Sequence, residues 1–115
     1  MKGLYFLPSQ EVDKNILEKS PVYFFVNPVE YHGPHLSHYT DFAISRGLAQ
    51  RLHARLCQSV GEHPYIEGPI LHLGVDPAPG PGSVRTSYKE LRRHILRACQ
   101  SLVEMGAKKV IFMTF

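Results

Sequence analysis

The chain has 115 residues, 43% of them apolar, which suits one small domain with a modest core and excludes a disordered chain. Its net charge of +3 is mild, and the pairs Arg92-Arg93 and Lys108-Lys109 fall short of the roughly 5–8-residue basic block of a nucleic-acid patch, so no nucleic-acid partner is expected. No apolar run approaches the ~20 residues of a membrane span, and Met1 to Pro8 lacks a full signal-peptide core, so the expected address is cytoplasmic, with no membrane partner.

In chain order, Val22 to Asn27 (VYFFVN) is β-branched and aromatic without polar alternation, which predicts a strand covered on both faces. A loop follows from Val29 to Tyr39, with Gly33 and Pro34 as turn formers. Thr40 is then expected to cap a helix of about five turns, whose buried stripe would be Ile44, Leu48, Leu52 and Leu56, widened by Ala49 and Cys57. Gly61 suits its end. Ile70 to Val75 reads as a short strand, and Asp76 to Ser83 (DPAPGPGS) as irregular, since Pro and Gly punctuate it throughout. Ser87 and Glu90 form a capping box before a second helix with the stripe Leu91, Ile95, Cys99 and Leu102, closed by Gly106. That stripe is expected to pack beside Val110 and Phe112 of a final strand, Lys108 to Phe115. Strands alternating with helices predict a three-layer α/β/α sandwich with a mostly parallel sheet. A chain stopping at the carboxyl end of a strand is read as truncated on its C-terminal side, because sites form at those ends and the last strand needs a cover. The two cysteines, Cys57 and Cys99, fall on helical stripes and are read as buried free thiols.

Of seven histidines, His32, His35 and His38 crowd one loop. Glu30 and His32 are two apart on extended chain, so both side chains can point one way. Asp41 falls in the first helical turn, where a carboxylate suits the positive end of the dipole. If the loop folds back, the three groups converge within roughly 6 Å, and carboxylate oxygen with imidazole nitrogen is a ligand set that zinc and manganese accept. Residue types alone leave other readings open: Glu30 pairing with Arg46 or Arg51, His32 bonded to a turn, Asp41 as a plain helix-start acid. A nucleotide-binding loop is a poor fit, because the Glu30 carboxylate would repel phosphate. Gly80 to Ser83 lacks the Gly-Lys-Ser/Thr end of a phosphate loop and reads as a flexible pocket rim or a plain connector. His53, His63, His72 and His94 are taken as structural or surface residues.

The stretch Glu30-Tyr-His-Gly-Pro-His-Leu followed by Thr40-Asp41 resembles the Glu-x-His-Gly-x-His-Leu…Thr-Asp signature of the creatininase family. That family includes creatininases, formamide hydrolases of flavin and deazaflavin biosynthesis, and a peptidase of mycofactocin maturation. The resemblance implies a centre of two divalent ions, zinc and/or manganese, with Glu30 and His32 each binding one and Asp41 bridging both. His35 and His38 would then order the loop or line the pocket. Tyr31 stands where the family usually has Gln, which alters the pocket wall. Gly80 to Thr86 loosely resembles the family's Pro-Gly-Thr loop, and Gly106 to Thr114 is similar to the strand that leads into a further His-bearing glycine loop. Residues 1–115 are therefore expected to be the N-terminal part of one creatininase-like domain. The implied activity is metal-dependent hydrolysis of a non-peptide C–N bond in a small cyclic amide or formamide, absent from this fragment alone, with a hexamer as the family's oligomer. The alternative is a non-catalytic creatininase-like fragment or subunit that binds a partner or small ligand.

Overall fold

The computed structural model describes residues 2–3 and 14–115. In chain order these form β1 (Lys2–Gly3), α1 (Lys14–Lys19), β2 (Val22–Val26), α2 (Thr40–Val60), β3 (Ile66–Leu71), α3 (Tyr88–Met105) and β4 (Val110–Met113). The strands pair in parallel in the order β1-β3-β2-β4. Parallel neighbours need crossovers, and α2 and α3 make those from β2 to β3 and from β3 to β4. The result is the expected α/β/α sandwich. Most of the Met1 to Pro8 segment lies outside the described residues. Among the described residues, no helix is long and apolar enough to cross a membrane.

β2 sits inside the sheet and is covered on both faces, which is why its sequence lacks polar alternation. Val22 and Phe24 point to one side, where Leu17 of α1, Ile66, Leu102 of α3 and Ala107 bury with them. Half-buried Ala98, Cys99, Met105 and Val110 complete that layer. Tyr23 and Phe25 point to the other side and meet Ala49 and Phe42 of α2, with Tyr65, Ile70, Ile111 and Met113. α3 is bounded as its sequence implies. The Ser87 side chain accepts the Glu90 N–H at 3.1 Å, and Gly106 closes the helix at φ 107°. Its Leu102 is fully buried, while Leu91 and Ile95 are only half-buried. Phe112 stays 49% exposed, yet its ring lies 5.0 Å from that of Phe24. Both cysteines are half-buried free thiols.

Three expectations need correction. The first concerns α2, which turns a different face to the sheet. Ile44, Leu48 and Leu52 are exposed, and the buried seam is Asp41, Ser45, Ala49 and His53. The cause is the strand beneath. Tyr23 and Phe25 already fill the interlayer space, so the helix must offer small or hydrogen-bonding groups there. The Tyr23 hydroxyl donates to His53 Nδ1 at 3.0 Å, and His53 Nε2–H donates to the His63 carbonyl at 2.7 Å, so His53 is structural.

The second correction is that Thr40 does not cap α2. It is the first helical residue, its hydroxyl donates to the Ser37 carbonyl, and Tyr39 occupies the cap position without a side-chain bond. The third is that the strand expected at Ile70 to Val75 lies at Ile66–Leu71. Gly68 and Pro69 argue against a strand there, because proline has no N–H for the ladder. A bulge accommodates them: Tyr23 pairs with Glu67, but Phe25 pairs with Ile70. Glycine is also needed on steric grounds, since a Cβ at Gly68 would stand 2.4 Å from Val22 Cγ1. Glu67, 3% exposed, is held by two bonds from Arg46, at 2.8 and 2.7 Å, and one from the Tyr65 hydroxyl at 3.1 Å.

Candidate metal centre

The loop between β2 and α2 leaves the carboxyl end of a parallel strand, the edge where α/β sheets build their sites. Asn27 anchors its start. Fully buried, its Oδ1 accepts the Ser45 hydroxyl at 2.7 Å and the Phe115 N–H at 3.0 Å, tying β2 to α2 and to the segment after β4. Asp41 lies one turn before Ser45 on the same buried seam, so its carboxyl faces inward towards the loop.

Glu30, His32 and Asp41 come together there. One donor atom from each lies within 4.8 Å of the other two. His32 Nε2 stands 3.2 Å from Asp41 Oδ2 and 3.5 Å from Glu30 Oε1. The Ala78 N–H donates to Glu30 Oε2 at 2.7 Å. Arg46, one sequence candidate for pairing with Glu30, is bound to Glu67. Asp41 is a first-turn acid, but a buried one.

The two carboxyl groups are driven apart in acidity. The Ala78 N–H, a hydrogen bond from Asp41 and the nearby His32 hold Glu30 below the usual carboxylate range. Burial first, then the hydrogen bond shared with Glu30, pushes Asp41 above it, against the pull of His32. Two adjacent carboxylates repel, so the charged form of the buried Asp41 is disfavoured beside Glu30. A cation at that point would relieve the repulsion between them. Two carboxyl oxygens and an imidazole nitrogen facing one point also match the N/O donor set of zinc or manganese. To ligate, the His32 ring would present the Nε2 lone pair and carry its proton on Nδ1.

His35 is exposed and His38 half-buried, and neither ring joins this convergence. His38 Nε2–H donates to the Pro81 carbonyl at 2.7 Å, which ties the loop to residues 76–86. His72 stacks on Tyr39 at 4.2 Å, and burial lowers its pKa. The sequence offered Gly80 to Ser83 as a pocket rim or a plain connector, but not the contacts by which the loop at 76–86 holds Glu30 and Tyr31. That loop's contributions are a backbone N–H, which no side chain announces, and the Ser83 hydroxyl, which accepts the Tyr31 N–H at 2.8 Å.

The creatininase family, described as creatinine amidohydrolase, matches residues 7–115. No curated protein matches the sequence. Among solved structures, a crystal structure of creatinine amidohydrolase (creatininase) is similar with a TM-score of 0.72 at 16% identity, covering 96% of this chain and 43% of that one. Two creatininases with a tryptophan replaced by phenylalanine are similar with a TM-score of 0.69 at 14% identity. Each is matched over 96% of this chain, with 44% and 43% of its own length covered. The chain therefore spans less than half the length of these structures, and at such identities the likeness carries the fold.

Proposed function

Since the chain belongs to the creatininase family, we propose that it supplies part of a two-ion hydrolytic centre acting on a small cyclic amide or formamide, with Glu30, His32 and Asp41 as metal ligands. The observation that supports this is the approach of their three donor atoms to within 4.8 Å, one of them on the buried Asp41. Divalent ions bound there supply Lewis-acid polarisation of a carbonyl and a source of hydroxide near neutral pH.

The side chains divide the work of holding them. Glu30 Oε2 is committed to the Ala78 N–H, so Glu30 offers Oε1 as a single donor. Asp41 has two oxygens and a buried, fixed orientation, which suits it to bridge. His32 contributes one nitrogen and no charge, leaving the ions net positive against a substrate carbonyl. Three converging donors among the described residues, divided between two ions, leave each ion short of the four ligands a zinc ion usually takes. The 115-residue chain should therefore bind zinc weakly and hydrolyse no amide above a metal-only blank. Calorimetric titration with Zn²⁺ and Mn²⁺ checks this, and Asp41→Ala should abolish the binding. Equal affinity in Asp41→Ala, no binding by the unsubstituted chain, or hydrolysis indifferent to a chelator would each overturn the reading.

A further inference from the structure

The carboxylate of Glu30 is held from outside its own loop. The Ala78 N–H that binds Oε2 lies 48 residues away in sequence. Ala78 stands between Pro77 and Pro79. Each proline fixes its own φ, and Pro79 also drives Ala78 towards extended backbone, so the peptide has few ways to turn. The group that selects among them is Ser83. Its hydroxyl donates to the Ala78 carbonyl and accepts, at 2.8 Å, the N–H of Tyr31, the residue directly after Glu30. One oxygen thus links the peptide that grips the carboxylate to the backbone that carries it.

Neighbouring contacts press the two loops together around this oxygen. The Val84 N–H donates to the Val29 carbonyl at 3.0 Å, and His38 reaches the Pro81 carbonyl at 2.7 Å. Two glycines allow the approach. A Cβ at Gly80 would fall 2.4 Å from Tyr31 Cδ1, and one at Gly82 would fall 2.4 Å from His38 Nε2. Such crowding is a large investment of backbone geometry for a loop with no regular structure.

We infer that Ser83 is a positioning residue of the metal centre: its hydroxyl relay to Ala78 and Tyr31 sets the orientation in which Glu30 presents Oε1 to a divalent cation. This rests on the metal-binding reading proposed above. Ser83 itself touches neither the cation nor His32. It acts as the outer hydrogen-bond partners of metal ligands do, by fixing one ligand's direction before the ion arrives.

The test compares the unsubstituted chain with Ser83→Ala and Ser83→Thr. Zn²⁺ affinity is measured calorimetrically, well below the unfolding transition of each protein. Removing such an outer partner costs about 10–100-fold in affinity, so Ser83→Ala should bind at least about tenfold more weakly, while Ser83→Thr, which keeps the hydroxyl, should stay within about threefold. A loop staple with no bearing on Glu30 would lower the unfolding temperature and leave the affinity of the folded protein unchanged. In parallel, NMR follows amide exchange of Ala78 and Tyr31. Both should exchange faster in Ser83→Ala and recover in Ser83→Thr. Equal Zn²⁺ affinity in the alanine variant, or no recovery with threonine, overturns the inference. If the unsubstituted chain binds no Zn²⁺, the metal reading and this role fall together, and the amide exchange then says whether the relay itself exists.

Discussion

Replacing Asp41 with asparagine should stabilise the metal-free chain while removing the proposed metal binding. Glu30 and Asp41 each place an oxygen inside the 4.8 Å cluster. Two unit charges at that separation repel by ~0.9 kcal/mol in water and ~3.5 kcal/mol at an effective dielectric of 20. Their side chains are 18% and 6% exposed, which argues for the upper part of that range, and His32 at 3.2 Å offsets part of it. The net gain for Asp41→Asn at pH 7 should be about 1–3 kcal/mol. Asparagine keeps the shape, and its amide can still donate to Glu30 and accept from His32. The sign with pH follows from Asp41 lying above its ordinary value of 3.8, through burial first and Glu30 second. A raised carboxyl contributes stability that is present below pH 3.8 and lost as pH climbs through its folded pKa. Asparagine escapes that loss, so its advantage should be full at pH 7 and shrink towards zero below about pH 3.8. Glu30 works the other way, stabilising above its ordinary 4.5 and losing that contribution as pH falls through its lowered pKa. Urea denaturation in EDTA at pH 7 and pH 3.5 reads the first effect, and Zn²⁺ titration reads the second. A variant less stable than the unsubstituted chain at pH 7, or a gain that does not depend on pH, would refute the reasoning.

Two further substitutions probe the scaffold. Among the described residues, Arg46→Met leaves the buried Glu67 with the Tyr65 hydroxyl alone, and it should cost about 3 kcal/mol, at the low end for a broken buried pair because the Arg46 side chain is 40% exposed. Adding Glu67→Leu should recover most of that loss in a double-mutant cycle by urea denaturation, and equal costs for the single and double variants would dismiss the pairing as a source of stability. Leu102→Ala should cost about 3–4 kcal/mol, whereas Leu48→Ala on the exposed face of α2 should cost less than about 1 kcal/mol. Comparable losses at the two leucines would mean that the helices face the sheet differently.

Legibility in the sequence depended on whether the deciding interaction was local. Val22 to Val26 announced itself because both its faces are covered, and α3 because Ser87, Glu90 and Gly106 write its ends into the chain. Glu30, His32 and Asp41 could be picked out by residue type and close spacing, and the loop does fold back to bring them together. The facing of α2 could not. A leucine stripe normally marks the buried side, and only the bulk of Tyr23 and Phe25 on the opposing strand selects the small and polar seam instead. β3 was displaced for a similar reason. Glu67 looks soluble until Arg46, 21 residues earlier, is known to meet it. Gly68-Pro69 looks like a turn until the bulge opposite Tyr23 and Phe25 is seen.

The brace on Glu30 also sets when the site can exist. The three converging side chains lie close together in sequence, but the amide that grips one of them belongs to Ala78 and the hydroxyl behind it to Ser83. Synthesis at ~5–20 residues per second needs some seconds to add the roughly forty residues from Asp41 to Ser83, and β3 must then pair with β2 before the second loop can dock. During that interval Glu30, His32 and Asp41 are loosely tethered donors, no more selective than any other histidine and two acids on a nascent chain. Under the proposed metal-binding role, capture would be postponed until the tertiary fold is in place, and the emerging polypeptide would present no preformed trap in which a misplaced ion could commit it to a wrong structure.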